Sequence, residues 1–160
     1  YRRAVAFNKF VIQSGAQRSQ GVELGATGNL TPQWEVAAAF TQQSAKIVSA
    51  TTSSPAGAWV PLVPKTSFSL WNKYSFASRY GAALGAVRQE KVFAAIDNKV
   101  TLPAFTRFDA ALYAGIGFGL SAQVNVENLL NVKYFPTANS NNNISPGSPR
   151  ALRASITAEF

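Results

Sequence analysis

A chain of 160 residues with 47% apolar content and a mean hydropathy near zero holds one modest domain. It has neither Cys nor His, which excludes disulfides, Cys/His metal sites, thiol nucleophiles and imidazole bases, so no cofactor is expected and an enzyme is disfavoured. Fifteen Lys and Arg against seven Asp and Glu give +8, but apart from Arg2 and Arg3 the cations are scattered singly, so nucleic acid is not the expected partner.

No apolar run approaches the ~20 residues of a spanning helix, so a membrane role falls to strands. The chain lacks Met and opens on Tyr1, Arg2 and Arg3 without a signal-peptide apolar region, which reads as a fragment or processed form. A first strand is expected over 4–12, followed by a short link at 13–18. In 20–28, Val22, Leu24 and Ala26 share one side. After a turn at 29–33, Trp34, Val36, Ala38 and Phe40 alternate with Glu35, Ala37, Ala39 and Thr41.

A Ser/Thr/Pro/Gly-rich loop over 49–64 follows. Segments 65–76 and 80–92 are strand-like, with a turn at 77–79, but their alternation does not settle which residues share a face. Beyond a link at 93–103, Phe108, Ala110, Leu112 and Ala114 alternate with Arg107, Asp109, Ala111 and Tyr113. A turn is expected at 115–117. Leu120, Ala122, Val124 and Val126 then alternate with Ser121, Gln123, Asn125 and Glu127. After an Asn-rich loop within 130–149, Leu152, Ala154, Ile156, Ala158 and Phe160 alternate with Arg153, Ser155, Thr157 and Glu159.

The pattern gives about eight strands of roughly the length a tilted membrane strand needs. Apart from the short link at 13–18, short turns and long links alternate strictly, the asymmetry of an outer-membrane barrel with periplasmic turns and extracellular loops. Trp34, Phe76, Tyr80, Phe118 and Phe160 fall beside the short turns, and Phe93, Phe105, Tyr134 and Phe135 beside the long loops, as two interfacial girdles would. Glu23, Glu35, Arg107, Asp109, Glu127, Arg153 and Glu159 project opposite an Ala, Val and Leu face. A soluble barrel would need bulkier inward residues to reach solid-like density, so the Ala-rich face suits a wall against outer-membrane lipid.

Gly115-Ile116-Gly117-Phe118-Gly119 has the wrong spacing for a dinucleotide loop and no helix after it. Asp97, Asp109, Glu90 and Glu127 fall on different strands or loops, so no carboxylate pair for acid–base work is expected.

Several segments resemble the C-terminal barrel region of TonB-dependent outer-membrane receptors, particularly siderophore receptors. They are Ser19-Gln20-Gly21-Val22-Glu23-Leu24, Leu30-Thr31-Pro32 with Trp34, Val63-Pro64-Lys65 leading to Ser69-Leu70-Trp71, and Leu102-Pro103-Ala104-Phe105-Thr106-Arg107-Phe108-Asp109. The most specific is Val126-Glu127-Asn128-Leu129-Leu130-Asn131 with Tyr134, although Leu130 stands where Phe is usual and Asn131 where Asp is usual.

The resemblance implies that residues 1–160 are part of an antiparallel up-and-down barrel of about 22 strands, with a plug domain absent from this chain. It implies import of a ferric siderophore or similar nutrient, powered by the TonB complex through an N-terminal part also absent here. Terminal Phe160 looks like the signal read by the barrel-assembly machinery. Trp59, Tyr134 and Phe135 are expected at the mouth where an iron chelate docks, and Arg88, Arg107 and Arg153 along the lumen. The rival is a complete small eight-stranded outer-membrane barrel with a structural or adhesive role; a soluble ligand-binding barrel is a third class.

Overall fold

The computed structural model describes residues 3–7, 10–51 and 54–159, and every regular element within them is a strand. Strands β1 (Arg3–Phe7) and β2 (Phe10–Ser14) form a hairpin of their own. The single strand expected over 4–12 is therefore two short ones; residues 8 and 9 between them lie outside the described residues. Then come β3 (Gln17–Thr31), β4 (Trp34–Ile47), β5 (Thr66–Phe76) and β6 (Tyr80–Gln89). Two short strands, β7 (Val92–Phe93) and β8 (Thr101–Leu102), lead into β9 (Phe105–Gly117) and β10 (Leu120–Glu127). The last are β11 (Thr137–Ser140), β12 (Asn143–Ser145) and β13 (Ala151–Ala158).

Seven of these form one antiparallel meander in the order β3-β4-β5-β6-β9-β10-β13. It does not close on itself, and β3 and β13 are its edges. Connections alternate short and long as the sequence implies. Thr31 starts the first short turn, its Oγ1 accepting from the backbone N–H of Gln33 (3.3 Å) and Trp34 (3.1 Å). The third falls at Phe118 and Gly119, later than the expected 115–117. Gly117 (φ +100°) and Gly119 (φ +71°) supply the left-handed backbone there, whereas Gly115 stays in the ladder and donates to the Arg79 carbonyl.

Register fixes the faces. Leu24 lies opposite Phe40, Phe40 opposite Phe68, Ala82 opposite Leu112, Leu112 opposite Val124, and Val124 opposite Ala154. Even-numbered positions thus share one face of the sheet from edge to edge, because side chains opposite each other point the same way. This settles the phase of 65–92: Phe68, Leu70, Tyr74, Ala82 and Leu84 join the apolar face, and Ser69, Trp71, Lys73, Ala83 and Gly85 the other.

The apolar face is bare. Leu24 is 62% exposed, Leu112 61% and Ile156 74%. A sealed centre built on these residues is therefore ruled out, and so large an uncovered apolar surface marks contact with lipid. On the opposite face small residues let larger ones lie flat, and a Cβ on Gly85 would strike the Trp71 ring. The best-buried apolar cluster is not in the sheet but in the long links, where Val92, Ala94, Leu102 and Ala138 pack with Leu62 and Val100. Strands β7 with β8, and β11 with β12, are hairpins inside those links.

Candidate functional site

Two features stand out, the polar inner wall and the cap formed by the long links. On the wall, Arg107 of β9 forks to Asp109 Oδ2 (2.9 Å) and to Glu127 Oε1 on β10 (3.0 Å), and donates to the Tyr134 hydroxyl (2.9 Å). Arg153 of β13 reaches Glu127 Oε2 at 3.6 Å. Alternation puts all four charges on one face, and two carboxylates offset two guanidinium groups. Nearer the short turns, Lys73 pairs with Glu35 (3.7 Å) and lies over the Tyr113 ring.

The link after β10 is shaped by Asn128, which has no exposed surface. Its backbone N–H donates to Asp109 Oδ1 (2.8 Å), and its amide donates to the carbonyls of Val132 (2.9 Å) and Ser148 (3.0 Å). Its Oδ1 accepts from the Val132 N–H (2.9 Å). Both Asn128 (φ 53°) and Asn131 (φ 51°) take left-handed backbone, which Asn tolerates better than most residues. Asn131 Oδ1 in turn accepts from the Arg150 N–H at 2.9 Å. The Glu127-Asn128-Leu129-Leu130-Asn131 motif is therefore a device for leaving the strand and bringing residues 148–150 back beside it.

Three links are tied into one cap. The Asn98 side chain accepts from the Trp59 N–H (2.7 Å) and donates to its carbonyl (2.9 Å), joining 48–65 to 90–104. Asn141 donates to both oxygens of Asp97 (3.1 and 2.9 Å), joining 90–104 to 128–150. That amide, helped by the Lys99 N–H, holds the Asp97 carboxyl below its ordinary value of 3.8. Lys91, Lys99, Lys133 and Arg150 are exposed on the cap, and none forms an ion pair among the described residues.

The residues singled out from sequence divide. Arg107 and Arg153 meet on the inner wall at Glu127. Arg88 does not join them. It stands opposite Phe68 and Thr106 on the apolar face, donating to Thr106 Oγ1 (3.1 Å), so its expected lumen position is corrected. The small residues of β6 hide the phase that strand pairing sets. Trp59 bridges Lys46, an even position of β4, so its ring belongs to the outward side. Tyr134 is only 7% exposed; its ring covers Gly147 and packs on Phe105 at 4.6 Å. Phe105 faces inward, so these two make no outward girdle at the loop end. The short-turn girdle does form, with Trp34, Phe76, Tyr80 and Phe118 all exposed on the outward side or at the turn. Phe135 is exposed on the cap, and Phe160 lies outside the described residues. The cap cations are not legible in the sequence, because isolated lysines in loops carry no periodic signal.

A meander with an uncovered apolar face, a charged inner face and long loops at one end is the wall of an outer-membrane β-barrel. The family described as "TonB dependent receptor-like, beta-barrel" matches residues 3–129, and the chain belongs to it. The chain is 35% identical over 132 residues to a probable TonB-dependent receptor, BfrD, of Bordetella pertussis, covering 76% of the chain and 18% of the relative. It is 31% identical over 154 residues to the catecholate siderophore receptor Fiu of Escherichia coli K12, covering 92% and 20%. Among solved structures, the siderophore receptor PiuA of Acinetobacter baumannii superposes with a TM-score of 0.83 at 24% identity, over 97% of this chain and 24% of that one. The closed form of Fiu gives 0.78 at 26% identity, over 93% and 22%. The chain thus spans about a fifth of the length of the curated relatives it matches.

Proposed function

We propose that this chain is the loop-bearing wall of an outer-membrane receptor that imports a ferric siderophore or similar anionic nutrient, with a plug domain and the TonB-contacting segment supplied by the rest of the receptor. The observation that carries this reading is the cap: three long links share one apolar core and one hydrogen-bond chain, and present unpaired cations to the outside. A preorganised cationic surface captures a bulky anionic chelate without first ordering mobile loops. Phe135 offers an exposed ring at the same end.

Arg107 is committed to Asp109, Glu127 and Tyr134, and Tyr134 to holding Arg107, so both position the wall. Arg153 also pairs with Glu127, at 3.6 Å, but with its side chain 78% exposed it stands where cargo entering the lumen can meet it. Two unpaired sheet edges favour a larger barrel over a closed eight-stranded one. In the receptor carrying this chain, Lys99→Glu with Lys133→Glu should weaken binding of an anionic ferric chelate on the order of tenfold, mostly through slower association at low salt. Unchanged binding by fluorescence quenching would refute the cap as the docking surface.

A further inference from the structure

We propose that the outward face of the wall at its long-loop end holds the phosphorylated headgroup of an outer-leaflet lipid, in a groove beside Trp59. The face assignment leads there. Lys46 is an even position of β4, beyond Gln42 and Ser44 on the same face, and stands opposite both Arg18 of β3 and Trp59 of the following link. Its ammonium lies 4.9 Å from the centre of the indole ring, and that of Lys65 4.2 Å from the same centre. Arg88 is on the same face of β6, two strands from β4 and beside Phe68, where the apolar wall begins. None of these four cations forms an ion pair among the described residues.

Beside them runs an open groove of about 660 Å³, whose lining includes Gln20, Gln42, Ser44, Thr66 and Lys65. Its one carboxylate, Glu90, pairs with none of the cations. Val22 also borders the groove, and further down the same face the lining gives way to Leu24, Phe40 and Phe68. Amide and hydroxyl groups, an indole and converging ammonium groups therefore sit directly above bare apolar wall.

That order matches the order of a lipid: phosphate, then glycerol or sugar, then acyl chain. Two ammonium groups drawn to one ring repel each other, and both border a hydrocarbon layer that offers no counter-ion. Long basic side chains at such a boundary reach up to the headgroups, and anionic headgroups attract them in turn. The long loops mark this end as the outer leaflet. The inference rests on the outward face, not on the chelate reading.

The test uses the purified receptor carrying this chain in a zwitterionic detergent, with three probes: lipid A bearing both phosphates, the same lipid with its phosphates removed, and inorganic phosphate. Native mass spectrometry and the thermal unfolding midpoint are read for each. Phosphorylated lipid should stay bound and raise the midpoint, and the other two should do neither. Lys46→Gln with Lys65→Gln and Arg88→Gln should weaken retention at least tenfold, whereas Lys46→Arg with Lys65→Arg should preserve it. Equal retention of dephosphorylated lipid, or full retention by the glutamine variant, would overturn the proposal. So would reproduction of the shift by inorganic phosphate, which would make this a free-anion site. Should the glutamine variant fail to fold, high salt applied to the unaltered receptor must release the phosphorylated lipid, and retention would overturn the proposal. No arm contains an iron chelate, so failure here leaves the cargo reading standing.

Discussion

Asn128 shows how one side chain can shape a link of more than twenty residues. Fully buried, it satisfies backbone groups at Val132 and Ser148 and occupies a left-handed backbone position. Asn128→Ala leaves those groups without partners and puts a less tolerant residue at positive φ, so a loss of roughly 2–4 kcal/mol is expected. Urea unfolding of the receptor in detergent should show it, and a change within error would contradict this role. The resemblance flagged Asn128 as part of a motif, but its bonds were not legible, because they join residues that only the folded link brings together. Arg88 is the opposite lesson. An arginine in a strand reads naturally as lumen-facing, and only pairing with Phe68 and Thr106 shows that it is not.

At the scale of elements, strands with strict alternation were legible, since period two survives any tertiary context that keeps one side apolar. β6 was not, because Gly81, Ala82, Ala83, Gly85 and Ala86 give both faces small residues. The hairpins β7–β8 and β11–β12 were also invisible, being too short to show a period. Those hairpins carry the cap, and the cap has a pH limit. The Asp97 carboxyl titrates below 3.8, so its tie to Asn141 is fully present above that value and is lost as pH falls through the lowered one. Hydrogen exchange over 90–104 and 137–145, corrected for intrinsic rates, should therefore stay slow from neutral pH down to about 4 and rise below 3.8. Asp97→Asn should exchange faster at every pH. Protection in that variant equal to the unaltered chain would show that the apolar cluster alone holds the links together.

For the whole molecule, the account depends on the sheet having a lipid side and a wet side. Leu112→Arg places a charge on the outward face in the middle of β9 and should cost about 2–4 kcal/mol in vesicles, whereas Asn125→Arg on the inner face of β10 should cost far less. The chain itself has no cysteine, so single cysteines carrying a nitroxide can be placed along β9 from Thr106 to Ile116, with any cysteine elsewhere in the receptor replaced by serine. Collision with oxygen, which concentrates in hydrocarbon, and with a water-soluble nickel chelate then reports the surroundings of each position in a reconstituted receptor. The expected result is a period of two in which even positions, Leu112 among them, favour oxygen and odd positions, including Ala111 and Tyr113, do not. Even positions shielded from oxygen, or no alternation along β9, would contradict the membrane wall itself.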